Sequence, residues 1–220
     1  MNHTSHPSIR SCIRIATVFI TVLWAIKLCE VMFGFNLFLL GVLPRSHDGL
    51  IGILTAPLIH GSWQHVMSNT LPMLLLGSIL LFGYPRSRWW SLGIIWLLSG
   101  MGVWLFGRES YHFGSSGLSH GVFFFLLISG LLRRDRRSVA LLMIAFFMYS
   151  GMILSIFPGE PGVSFEYHLF GALAGVLCAV IFRHWEPKPE RKSFPWQRKP
   201  DDLDEEEEDP VIGDQWRDEN

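Results

Sequence analysis

Gly114-Ser115-Ser116-Gly117 opens an apolar run that reaches Leu132 and stops at Arg133-Arg134-Asp135-Arg136-Arg137. At about 1.5 Å per helical residue, that run covers most of a hydrocarbon core of about 30 Å. A polar turn, a run of membrane length and a basic stop therefore read as one transmembrane helix. Its serine end is the unusual part, because a polar turn in hydrocarbon calls for a task.

The rest of the chain repeats the pattern. Half of the 220 residues are hydrophobic and only 17% are charged, which is too apolar for an ordinary soluble domain. The net charge of −1 hides a segregation. No Lys, Arg, Asp or Glu occurs from Gly49 to Pro85, whereas the chain beyond residue 183 is mostly charged or proline. Six spans result: Ile15 to Leu40, His65 to Gly83, Trp89 to Phe106, Ser116 to Leu132, Ser138 to Phe157, and Phe165 to Phe182. Without water to satisfy the backbone, each is expected to be a helix. The fold class is an all-α, polytopic, six-helix membrane bundle. Its expected parts are an N-terminus over 1–14, a membrane domain over 15–183 and a charged, disordered tail over 184–220, which carries the acidic run Asp201 to Asp209.

Basic residues set the expected orientation. With six spans, twelve Lys and Arg near the span ends fall on the side holding both termini, and only Arg45 and Arg108 fall on the other. Both termini are thus expected in the cytoplasm. The first span is read as a retained helix and not as a cleaved leader, since Lys27 and Glu30 interrupt it and no small-x-small site follows. Those two residues can pair along one helix face. Cys12, Cys29 and Cys178 are far apart and show no metal-ligand spacing, so they read as reduced core thiols.

Counting upward from the basic ends places the buried polar residues by depth. Ser116 stands 17 residues above Arg133, about 25 Å, and His168 stands 15 above Arg183, about 22 Å. Asn69 and His65 stand 14 and 18 residues above Gly83, about 21 and 27 Å. Four polar residues from three helices thus share one layer. His65 and Asn69, at i and i+4, share a helix face and supply hydrogen-bond donors. Ser116 opens a helix, where backbone N–H groups lack internal partners and the dipole favours negative charge. Gly114 and Gly117 permit the turn. Gly117 and Gly121 on the fourth span, with Gly171 and Gly175 on the sixth, form small-xxx-small faces through which two helices can approach closely. His168 could then take the Ser116 proton while the hydroxyl attacks a carbonyl, with the oxyanion met by the Ser116 N–H, His65 and Asn69. Glu166 is expected in the loop on another face, leaving a dyad. Ser115 and Ser119 read as backbone-bonded serines, and His60 and His112 as outer-loop residues without a role.

His65-x-x-x-Asn69, Gly114-Ser115-Ser116-Gly117 and His168-x-x-Gly171-x-x-x-Gly175, in that order on the second, fourth and sixth spans, resemble the rhomboid intramembrane serine proteases. The resemblance extends over about residues 50–183 and includes His60-Gly61-Ser62-Trp63-Gln64 ahead of the second span. It implies Ser116 as nucleophile, His168 as base, and His65, Asn69 and the Ser116 amide as oxyanion hole. It implies single-span membrane proteins as substrates, cut near the outer leaflet after a small residue. It also implies the lipid bilayer of a bacterial inner membrane as the setting, with no cofactor and no nucleic-acid partner. The chain departs from the family pattern twice. Its first loop, Gly41-Val42-Leu43-Pro44-Arg45, lacks a Trp-Arg pair. His120 stands where the family often has an aromatic stacked on the histidine, either replacing that ring or adding a second titratable group. The other readings are a catalytically inactive rhomboid-like protein that binds client helices, a haem or metal protein using His65, His120 and His168, and a transporter, against which no internal repeat is visible.

Overall fold

In the computed structural model, which describes residues 7–159 and 162–187, the chain forms six helices long and apolar enough to cross a membrane. Helix α1 is Ile9–Phe33, α2 is the single turn Gly52–Thr55, α3 is Trp63–Gly83, α4 is Arg88–Phe106, α5 is Ser116–Arg133, α6 is Arg136–Tyr149 and α7 is Phe165–Phe182. The acidic run Asp201 to Asp209 lies outside the described residues.

Two spans differ from expectation at their ends. Helix α1 starts at Ile9, capped by the Ser8 side chain, and stops at Gly34. Gly34 adopts φ +65, and its N–H bonds the Glu30 carbonyl. A residue without a Cβ takes that left-handed conformation at no steric cost, so it ends the helix although apolar residues continue. Those residues, Leu37–Leu40, form a separate 3-10 turn. The fifth span was expected to run to Phe157, but α6 ends at Tyr149 and passes through a 3-10 turn, Ser150–Ile153, into irregular chain. Hydropathy cannot separate these forms, because turn and helix are equally apolar here.

Helix α5 is the centre of the bundle. Phe123, Phe125 and Leu126 pack with Leu76 and Leu80 of α3, Ile95 of α4 and Cys178 and Ala179 of α7. Between membrane helices there is little hydrophobic drive, so close backbone packing carries the association. On α7, a Cβ added at Gly171 would overlap the Gly117 carbonyl, and one added at Gly175 would overlap the Gly121 carbonyl. The two helices thus touch backbone to backbone at both levels. Helix α1 leans on α3, where Trp24 Nε1 donates to Thr70 Oγ1 at 3.0 Å. Lys27 pairs with Glu30 at 2.8 Å and donates to the Gly61 carbonyl at 3.3 Å.

At the basic end, charged groups tie the helices to one another. Asp135 caps α6, accepting from Ser138 N at 3.0 Å and Ser138 Oγ at 2.8 Å. Arg133 donates to Asp135 at 3.0 Å and to the carbonyls of Arg183 and Glu186. The Glu186 carboxylate is buried and accepts from Arg86 N, Ser87 N and Ser87 Oγ. Ordered contacts thus run past Arg183 to the end of the described chain.

Candidate active site

Ser116 is the first residue of α5, and Ser115 is its N-cap. The turn ahead of them is anchored where the Gly114 N–H donates to the Ala56 carbonyl at 2.8 Å. Gly114 adopts φ +114, and a Cβ there would lie 2.8 Å from the His65 imidazole. Both facts demand glycine: the backbone conformation is strained for an L side chain, and the His65 ring occupies the space. The same position lies beside the Ser116 hydroxyl. His65 and Ser116 are therefore neighbours across Gly114.

The three serines of this segment differ in what they do. Ser115 is fully buried, its hydroxyl 3.4 Å from His60 Nε2. Ser119 is buried and donates to the Ser115 carbonyl at 3.3 Å. Ser116 alone is half-exposed, and its hydroxyl makes no hydrogen bond among the described residues. The first backbone bond of α5 runs from Ser119 N to the Ser115 carbonyl at 3.0 Å, so the Ser116 N–H precedes the ladder and lacks a helix partner.

His168 lies on the first turns of α7, buried, with Nδ1 3.0 Å from the Ser155 carbonyl. A carbonyl oxygen only accepts, so Nδ1 carries the proton. In a neutral ring, Nε2 then holds a lone pair. His120 stacks on His168 with ring centroids 3.9 Å apart and planes 8° from parallel. Its Nδ1 lies 2.7 Å from the Ser116 carbonyl and its Nε2 2.7 Å from Ser155 Oγ. Asn69 is buried and donates to the His65 carbonyl at 3.0 Å, which occupies one of its two amide protons. Among the described residues no hydrogen bond joins Ser116 to His168; the two are linked through His120, which bonds the Ser116 carbonyl and stacks on the His168 ring.

Three expectations need correction. Glu166 belongs to the first turn of α7 and not to a loop; it is buried, with one oxygen 3.4 Å from Arg108 Nε. His60 is buried and accepts from the Ser115 N–H at 3.4 Å, and burial, helped by nearby His65, pushes its pKa down to about 3. His112 is also buried; its Nδ1 is 2.6 Å from Ser164 Oγ, and burial lowers its pKa. Both lie between helices as expected, but neither is idle: His60 bonds the Ser115 N–H at the Ser116 turn and His112 bonds Ser164, the residue before α7. Ser155 escaped notice altogether. Its contribution to His168 is a main-chain carbonyl, which no residue type announces; the only signal was a polar residue in an otherwise apolar stretch.

Among the described residues, no group of three or more His, Cys, Asp or Glu side chains is placed to hold a metal ion. A half-open serine beside a free helix N–H, with a neutral imidazole on the adjoining helix, is a combination suited to general-base activation of an alcohol.

A family model described as a rhomboid domain matches residues 47–185. Among curated proteins, an uncharacterized protein of Mycobacterium tuberculosis (strain ATCC 25618 / H37Rv) is 36% identical over 184 residues, covering 80% of this chain and 75% of that one. An uncharacterized protein of Mycobacterium leprae (strain TN) is 33% identical over 184 residues, covering 80% and 71%. A protein of Acanthamoeba polyphaga mimivirus named as a rhomboid protein is 28% identical over 146 residues, covering 63% and 78%.

Proposed function

The chain belongs to the rhomboid family of integral multi-pass membrane proteins, and on that premise we propose that it is an intramembrane serine endopeptidase cutting single-span membrane proteins. Ser116 is the nucleophile and His168 the general base. His168 Nε2 takes the hydroxyl proton as Ser116 Oγ bonds the scissile carbonyl carbon. The negative charge on the carbonyl oxygen is met by the Ser116 N–H, by His65 and by the Asn69 amide proton left over from its helix. Each donor of this kind contributes about 3 kcal/mol. His168 then gives its proton to the departing amine, and the acyl-enzyme opens when water repeats the sequence. The observation that carries this reading is the His168 tautomer: Nδ1 donates to the Ser155 carbonyl, which leaves Nε2 as an acceptor on the helix that meets α5 at Gly117.

With twelve basic residues against two favouring cytoplasmic termini, the serine end faces the outer leaflet. The setting is then a bacterial inner membrane, and the cut falls near the outer ends of substrate helices. The test is cleavage of a single-span reporter in liposomes by the wild type, Ser116→Ala and His168→Ala. Cleavage by the wild type alone is expected; equal cleavage by all three rejects the reading.

A second reading is an inactive protein that binds client helices. The missing Ser116–His168 hydrogen bond favours it, although such bonds in substrate-free enzymes often tighten only when substrate is bound. Labelling by a fluorophosphonate separates the two: an enzyme is labelled at Ser116, and a passive binder is not.

A further inference from the structure

Among the described residues His168 has no carboxylate partner: Glu166, the acidic residue nearest in sequence, bonds Arg108 and not the imidazole. In a triad, a third group fixes the tautomer and direction of the base. Here that position is taken by a backbone carbonyl in irregular chain between α6 and α7. Such chain is ordinarily free to move, so something must hold the carbonyl in place.

We infer that His120 and Ser155 are positioning residues for the base, a paired tie that takes the place of the missing carboxylate; the inference rests on the role proposed above for His168. Both carbonyl contacts fix proton positions. His120 Nδ1 donates to the Ser116 carbonyl, so in the neutral ring Nε2 is an acceptor. The Ser155 hydroxyl donates to it at 2.7 Å, in preference to the Met152 carbonyl at 3.2 Å. Ser155 is thereby fastened to α5 through its side chain, and its own carbonyl is delivered to His168 Nδ1 at 3.0 Å. The stacked rings close the circuit, since the imidazole that holds Ser155 is also the surface on which His168 lies. Nucleophile, base and the segment after α6 are thus joined through His120. A plain aromatic ring at 120 would supply the stack but not the tie.

Two readouts test this, one of which does not need activity. Ring-15N histidine spectra of the full chain in bilayers report which nitrogen bears the proton, with His168 assigned by its loss in His168→Asn. In the wild type, His120 and His168 are both expected in the Nδ1–H form. His120→Phe, which keeps a stacked ring, and Ser155→Ala, which keeps the carbonyl, are each expected to shift His168 toward the Nε2–H form or into exchange between the two. Ser155→Thr restores the wild-type spectrum. In the reporter assay each of the first two lowers kcat about tenfold at unchanged KM, the loss of roughly one hydrogen bond from the transition state. The double variant loses no more than either single one, since both break the same tie.

An Nε2–H form of His168 in the wild type overturns the inference. So does an unchanged His168 tautomer in both His120→Phe and Ser155→Ala, or kcat losses that multiply in the double variant. If the wild type cuts the reporter no better than Ser116→Ala, yet the tautomer shifts as described, the protease reading fails while the tie stands.

Discussion

The two ends of α5 are built on opposite terms. At Arg133, charged groups are engaged: the guanidinium reaches Asp135 and three carbonyls, and Asp135 in turn caps α6. At Ser116, the hydroxyl is half-open and makes no bond among the described residues, and its N–H precedes the helix ladder. The same helix therefore has one end whose charged groups hold the bundle together and one end that leaves the hydroxyl of Ser116 open. What is free is also narrow: Ser115 and Ser119, one residue before and three after, are buried and bonded. Bonded charged groups and an unbonded serine hydroxyl thus sit at opposite ends of one helix.

The sharpest way to break this contrast is to alter each end and ask which property moves. Ser116→Ala is expected to lower cleavage at least about a thousandfold while leaving the thermal midpoint in detergent near that of the wild type. A large fall in the midpoint would mean that Ser116 serves the fold. Arg133→Ala is the mirror experiment. Its side chain is buried against Asp135, so removal strips that carboxylate of its cation, leaving only the Ser138 bonds, and frees the carbonyls of Arg183 and Glu186; the expected cost is about 1–3 kcal/mol of stability, read by denaturant unfolding. The reporter should be cut at an unchanged rate per folded molecule.

Gly171→Ala probes the middle ground, because its methyl would overlap the Gly117 carbonyl. Overpacking there is expected to cost about 1–3 kcal/mol and also to slow cleavage, since the same contact sets the spacing of the two helices. Stability lost with cleavage intact would detach the glycine contact from the site.

Acid should act on the two ends in different windows. His60, beside the serine turn, has its pKa lowered from 6.5 to about 3 by burial and by His65. The unfolded chain binds that proton more readily, so the stabilisation is complete above about pH 6.5 and is lost as pH falls toward 3. A His60→Gln protein should show a flatter unfolding profile between those values. For Asp135, burial raises the pKa, but the Ser138 bonds and the Arg133 charge outweigh it and hold the carboxyl below its ordinary 3.8. Its smaller contribution is present above that value and lost below it, so Asp135→Asn should alter only the most acidic part of the profile. A single window for both variants would erase the distinction between the ends.

The spans could be read because apolar runs broken by arginine, proline or glycine are long and unambiguous, and the six helices follow them. Their ends were less legible. Gly34 stops α1 through a backbone conformation, and Ser150–Ile153 tightens into a 3-10 turn without any change in hydropathy. At the site, counting residues from the basic ends singled out Ser116, His168, His65 and Asn69, since depth follows from helical rise alone. What counting could not supply was everything contributed by main chain: the Ser155 carbonyl at His168, the Ser115 N–H at His60, and the Ala56 carbonyl under Gly114. Backbone groups are the same at every position, so a sequence cannot say which of them a fold will use.

The paired glycines of α5 and α7 act as a spacer of zero thickness. With no side chain between Gly117 and Gly171, or between Gly121 and Gly175, the gap between the two helices equals the contact radii of their own backbones. Those radii do not respond to the surroundings. A thicker or thinner bilayer will tilt the two helices as one piece, and the distance from Ser116 to His168 will travel with them unchanged.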